Sequence, residues 1–321
     1  GMAGIFHNVQ VLRADGTVRL ETGEFKNLIL DQGLTRMVQL KGANPTTPIE
    51  CFTSCSVGTG NSPPSATQTS LDNQVASTSI DEMSVTAAGH NYEEGYIWSR
   101  YTYTFGLGAI NNQNISEIAI GWGGGKSIFS RALIRDTEGN PTSITILSDE
   151  QLVVTWEHRR YWPQEDIIGT IANSGNKGGT FQYTVRPANI GVWSIGPAGR
   201  SGLLFSRSGT SSYSMYTPGY FNGSSTLGDI NGRPTGTGVY YANTHSWIAP
   251  DGNRAMGRIS LGLTQGNLAG GIGAIVYGGI ITSSWIASTP HISFQMAFDP
   301  PIPKTADDVL EIDLFIEPFR I

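Results

Sequence analysis

At 321 residues the chain is longer than one hydrophobic core usually fills, so two domains are the natural expectation. A net charge of −6, with no basic run longer than Arg159-Arg160, excludes the clustered positive surface that phosphate binding needs. No stretch approaches the roughly 20 apolar residues that span a bilayer, so neither nucleic-acid binding nor membrane insertion is expected.

The charged fraction is only 14 %, against about 25 % for an ordinary soluble domain. With 41 glycines and frequent Ser, Thr and Asn, this composition favours many short strands joined by tight turns. The first six residues, Gly1 to Phe6, lack the basic start and apolar run of a signal peptide, which predicts a soluble product made in the cytoplasm.

In chain order, residues 9–12 and Val18–Glu21 flank Asp15-Gly16, a hairpin signal because the turn needs positive φ. Asp31 stands at an expected helix N-cap. Leu34, Met37, Val38 and Lys41 follow at helical spacing before Gly42, predicting one short helix near 31–41, about three turns long. Residues 61–70, with Pro63-Pro64, have no apolar rhythm and read as an exposed loop.

Beyond that loop a period of two takes over. Tyr101, Tyr103 and Phe105 share one strand face, and so do Ile118, Ile120 and Trp122. Ile144 and Ile146 lead to a turn at 148–150, after which Leu152, Val154 and Trp156 alternate with Gln151, Val153 and Thr155. In the second half Phe181, Tyr183 and Val185 alternate, as do Ile259, Leu261 and Leu263, then Ile292, Phe294, Met296 and Phe298. Such alternation buries one face of an antiparallel sheet. The proline-rich run 299–304 predicts a rigid connection outside any ladder. A last strand places Leu310, Ile312, Leu314 and Ile316 on one face and Glu311, Asp313 and Glu317 on the other.

The fold expected is therefore all-β: two antiparallel β-sandwich, jelly-roll-like domains, 1–165 and 166–321. Their boundary falls in 163–179, where Gly, Asn and Ser cluster. Residues 149–154 resemble 307–312 in spacing, and Phe129-Ser130-Arg131 recurs as Phe205-Ser206-Arg207, as an internal duplication would produce.

Tests for chemistry come out empty. Gly121 to Ser127 fails the phosphate-loop pattern because Ile120 stands where its first glycine should be, and the next segment reads as a strand. The five histidines are scattered singly, without the spacing that sets two imidazoles on one metal; His158 and His291 read as packed or hydrogen-bonded strand residues. Cys51 and Cys55 lack a second pair and read as small buried thiols. Glu93-Glu94 and Asp307-Asp308 are adjacent residues that point to opposite faces, and the acids of 307–313 lack the glycine-turned loop of a calcium site. No catalytic residue, metal site or cofactor is expected.

Binding is suggested only in 213–247. There Tyr213, Tyr216, Tyr220, Phe221, Tyr240, Tyr241, His245 and Trp247 are interleaved with small polar residues, a mixture that suits a glycan or protein receptor. The rival reading is a β-meander whose tyrosines fill a core or a subunit interface.

Four short segments then carry a family resemblance. Asn27-Leu28-Ile29-Leu30-Asp31-Gln32-Gly33-Leu34 resembles the N-x-I-x-D-x-G-L strand-to-helix start of many tailed-bacteriophage tail proteins. Val57-Gly58-Thr59-Gly60-Asn61-Ser62-Pro63-Pro64 with Thr69-Ser70-Leu71 is similar to their G-x-G-x-x-x-P … T-x-L loop. Ile115-Ser116-Glu117-Ile118-Ala119-Ile120-Gly121-Trp122 with Phe129-Ser130-Arg131-Ala132 is similar to their I-x-E-I-G-L … F-x-R hairpin, with Ala119 where the family often has glycine. The run from Phe298 to Thr305 is also typical of such virion proteins, whereas 165–290 carries no named likeness.

The resemblance implies a non-enzymatic β-sandwich component of a tail, tail fibre or baseplate. Residues 1–165 would serve attachment and assembly, and 166–321 would face a receptor. Its implied partners are other virion tail proteins, further copies of itself and a bacterial surface glycan or protein. A carbohydrate-binding recognition module is the first alternative, and a glycan-degrading tail enzyme the second.

Overall fold

A computed structural model describes residues 1–39, 50–81, 87–175, 177–193, 201–204, 219–230, 232–236, 238–240, 245–282 and 289–321. The first strands are β1 (Met2–Leu12), β2 (Val18–Glu21) and β3 (Phe25–Ile29), followed by the helix α1 (Asp31–Met37). Then come β4 (Ser54–Gly58), β5 (Gln74–Ser79), β6 (Ala87–Asn91), β7 (Tyr96–Phe105), β8 (Gln113–Ile115), β9 (Glu117–Trp122), β10 (Ser127–Leu133), β11 (Ile144–Ile146) and β12 (Gln151–Tyr161). The remainder is β13 (Ile167–Ala172), β14 (Thr180–Trp193), β15 (Ser201–Leu204), β16 (Gly219–Asn222), β17 (Gly238–Tyr240), β18 (His245–Asp251), β19 (Arg254–Leu261), β20 (Ile272–Thr282), β21 (Thr289–Ile302) and β22 (Leu310–Ile316).

The fold is all-β and antiparallel, as the alternating pattern predicts. Among the described residues, one large sheet has the order β5-β4-β9-β10-β3-β1-β12-β7-β6, with β2 on β1. It curls on itself: Ile80 bridges Tyr103, and the Asp81 N–H donates to the Thr102 carbonyl, so the β5 end meets β7. A second sheet runs β13-β14-β21-β20-β16-β17, with β15 on β20, and a third β18-β19-β22. Thus every strand up to Tyr161 pairs among its own group, and every strand from Ile167 onward does likewise.

The core follows the parity read from sequence. Tyr101, Tyr103, Phe105, Leu152, Val154 and Trp156 are fully buried on the inner face of the curl. Each such side chain contributes about 1.5–3 kcal/mol relative to exposure. Phe52 is the hub of this core, its ring 4.8 Å from both Phe129 and Trp156. The 2–12/18–21 hairpin forms with Gly16 at φ 84°, the left-handed turn that its missing Cβ permits.

Several expectations need correction. The helix ends at Met37, two turns rather than three, and its N-cap is Leu30. Asp31 is the first helical residue and pairs with Arg320 instead of capping. Lys41 and Gly42 lie outside the described residues. β9 is buried on both faces apart from half-buried Trp122: Ile118 and Ile120 join the main core, Ala119 packs with Leu30, Leu71 and Ile128 on the other side, and Arg36 stacks 4.6 Å over the indole. β19 stops at Leu261, leaving Leu263 exposed. Pro300 and Pro301 lie inside β21, which continues to Ile302 opposite Ile272 across a bulge. A strand that the sequence did not announce occupies 167–172, within the stretch read as the domain boundary; Ile167, Ile168 and Ile171 supply its β-branched character. The two echoed strands also differ in setting: β12 lies between β1 and β7, whereas among the described residues β22 pairs with β19 alone. Residues 205–207 lie outside the described residues.

Candidate functional site

The aromatic segment is only partly placed. Tyr213, Tyr216 and Tyr241 lie outside the described residues. Tyr220 and Tyr240 lie on adjacent strands, offset by one pair, since Gly219 faces Tyr240 and Tyr220 faces Val239. Trp247 belongs to a different sheet, on β18 opposite Gly257. The described backbone therefore brings two of the six candidates together and puts a third on another sheet.

A tighter arrangement forms from segments that sequence reading treated as separate. Leu133 faces Glu117 across β9–β10 and Arg131 faces Ala119, so Glu117 and Arg131 are diagonal neighbours on one face. Both are fully buried, with Arg131 Nε 3.0 Å from Glu117 Oε2. The Glu117 carboxylate also accepts the Gly60 N–H at 3.0 Å, the Asn73 N–H at 2.8 Å and the Asp72 N–H at 3.0 Å. Arg131 donates to the Ser62 carbonyl at 2.8 Å, to Gln68 Oε1 at 3.2 Å and to Asp72 Oδ2 at 3.1 Å. The Ser62 hydroxyl and N–H hold the Asp72 carboxyl below its usual range, against some desolvation and with help from Arg131.

Two buried charges thus clamp the 58–73 loop onto β9 and β10. A buried ion pair needs its remaining hydrogen-bonding capacity satisfied, and here the loop backbone supplies it. The glycines have a steric reason. A Cβ on Gly58 would lie 2.3 Å from the Asn73 carbonyl oxygen, and one on Gly60 would lie 2.2 Å from Asp72 Cβ. The first segment closes the same knot. Gln32 Nε2 donates to the carbonyls of Ile128 and Thr69, the Asp31 N–H donates to Ala66, and a Cβ on Gly33 would lie 2.5 Å from the Phe129 carbonyl.

A second polar group lies deeper. Trp156, His158 and Arg160 share the inner face of β12 and are all fully buried. His158 stacks on Trp156, ring centroids 5.6 Å apart and 9° from parallel, and lies 4.9 Å from Phe52. Neither imidazole nitrogen and none of the three guanidinium nitrogens of Arg160 has a hydrogen-bond partner. Burial holds the His158 pKa well below its ordinary value, reinforced by Arg160. Burial likewise lowers Arg160 to about 10, opposed by Tyr101 and Cys51. Cys51 and Cys55 are buried and form no disulfide, as expected, and desolvation pushes the Cys51 thiol up to about 12.

Several acids are tied up in structural bonds. Glu150 is held by Arg19 at 2.6 Å, and Glu157 by Arg100 at 2.7 Å and Arg159 at 2.5 Å. Asp308 accepts the Thr305 N–H and hydroxyl and pairs with Lys177 at 2.7 Å. Among the described residues no group of three or more His, Cys, Asp or Glu could hold a metal ion.

No family model, curated protein or solved structure matches the chain.

Among the described residues there is also a groove of about 510 Å³. Phe181, Tyr183, Val185, Phe294 and Met296 line it from the second sheet; Ile167 and Ile171 line one rim and the whole of β22 the other. Sequence reading missed both the clamp and the groove. The clamp had a signal: single charges, Glu117 and Arg131, inside otherwise apolar strands. The groove had none, because it depends on how two sheets meet.

Proposed function

We propose that the chain is a non-enzymatic structural protein of a tailed-bacteriophage virion, from the tail, tail fibre or baseplate, whose work is assembly. One observation carries this reading. Three of the four segments that resemble phage tail proteins, far apart in sequence, meet at one buried clamp, and most of their distinctive residues have a structural reason there. Glu117 and Arg131 hold the loop, Gly33, Gly58 and Gly60 leave no room for a side chain, and Phe129, Leu34 and Leu71 are buried. A likeness made of such residues points to a shared scaffold rather than a shared reaction. The acids described above are engaged with arginines, a lysine and backbone amides, which accords with a scaffold.

Mass spectrometry of purified particles produced from a genome carrying this gene tests the reading. The chain should co-purify with intact tails in several copies per particle. Abundant expression with no chain in the particles would overturn it. Release of reducing sugar from host polysaccharide by the purified protein would favour the enzymatic alternative instead.

A further inference from the structure

Sheets normally guard their edges, because an open row of N–H and C=O groups will pair with another chain. Three described edges here are guarded. The β5 end of the large sheet is bridged to β7 through Ile80 and Tyr103, and β6 at the opposite end packs against β14 and β21. β22 carries Glu311 and Asp313 on its exposed face, charged side chains of the kind that guard an edge.

β13 has no such guard. Its sequence, Ile167-Ile168-Gly169-Thr170-Ile171-Ala172, contains no charge and no proline. It pairs with β14 through six successive residues without a bulge, from Ile167↔Val185 to Ala172↔Thr180. Among the described residues its other edge is unpaired. Ile167 is 48 % exposed and Ile168 62 %, adjacent large apolar residues on opposite faces of one edge strand. Beside that edge lies the apolar groove, with Ile167 and Ile171 on its rim.

We propose that β13 is a self-association edge, at which the β13 of a second copy adds antiparallel across a two-fold axis and joins two seven-stranded sheets into one. Charge selects a second copy as the occupant. An uncharged strand pairs with itself without repulsion, and Asp166, just before it, is already neutralised by Arg186 at 2.7 Å. A two-fold axis perpendicular to the sheet keeps both inner faces on the same side. The inward isoleucines of the incoming strand then point toward the groove, and Ile168 of each copy is covered on the outer face. This deepens the assembly reading by naming the contact, but it can fail alone, since presence in particles is tested separately.

Sedimentation of the full chain from low-micromolar to sub-millimolar concentration tests the proposal. The wild type should pass from monomer to dimer as concentration rises. Ile168→Lys and Thr170→Lys, both on the outer face and exposed, should each weaken association about tenfold or more. Thr170→Lys removes no buried apolar atom, so it still reports if Ile168→Lys disturbs the fold by circular dichroism. Amides of 167–172 should gain exchange protection with concentration in the wild type alone. A wild type that stays monomeric, or both lysine variants associating as tightly as wild type, would overturn the proposal.

Discussion

Arg131 on β10 and Arg160 on β12 are both fully buried in the same curled sheet, yet their surroundings are opposite. Arg131 reaches two carboxylates, a backbone carbonyl and an amide oxygen. Arg160 reaches no hydrogen-bond partner, and beside it His158 is equally unpartnered. Burial alone therefore says little about whether a charge supports a fold. A partnered charge fixes the segments that satisfy it, while an unpartnered one is a cost that the apolar core around it must offset.

The sharpest way to break this contrast is to remove one side chain from each region. Arg131→Met strands the Glu117 carboxylate in the core, and urea unfolding should show a loss of about 3–5 kcal/mol. Arg160→Met removes a charge that has no partner to strand, so its stability should match or exceed that of wild type. Equal, large losses in both variants would erase the distinction.

Acid sharpens the same comparison. His158 has a folded pKa well below its unfolded value of about 6.5, because burial disfavours the imidazolium. The unfolded chain therefore binds the extra proton first, and stability present above about pH 6.5 is lost as pH falls below it. The loss from this one group should deepen steadily from pH 6.5 toward pH 5. His158→Phe should flatten that slope; an unchanged slope would mean that His158 is not neutral in the fold.

The smallest effect belongs to the surface. Asp308 is held down to about 2, first by Lys177 and then by the Thr305 backbone and hydroxyl. Its folded pKa is depressed, so its contribution is present above about pH 4 and is lost as pH falls toward 2. Asp308→Asn should lower the melting temperature slightly at neutral pH and leave it unchanged near pH 2. A decrease of the same size at both pH values would show that the carboxylate charge is not what matters.

Much of the fold was legible because burial in a sheet follows a period of two. Leu152, Val154 and Trp156, or Ile312, Leu314 and Ile316, declare their faces without any partner in view. Pairing was not legible, since β1 lies beside β12 across most of the first half of the chain. The clamp stayed hidden for the same reason: Glu117 and Arg131 are ordinary letters until the β9–β10 register places them diagonally. His158 read correctly as a packed residue, but its stacking on Trp156 and its lack of partners belong to the packed core alone. The strand at 167–172 was overlooked because the Gly/Asn/Ser cluster that ends it at 173–179 dominates the local composition.

Amide exchange in the 58–73 loop tests the scaffold account most directly. The N–H groups of Gly60, Asp72 and Asn73 donate to Glu117. In the wild type they should exchange as slowly as the β9 amides, and in Glu117→Gln they should accelerate together. Rapid exchange at these three sites in the wild type, as in an unrestrained surface loop, would contradict the account.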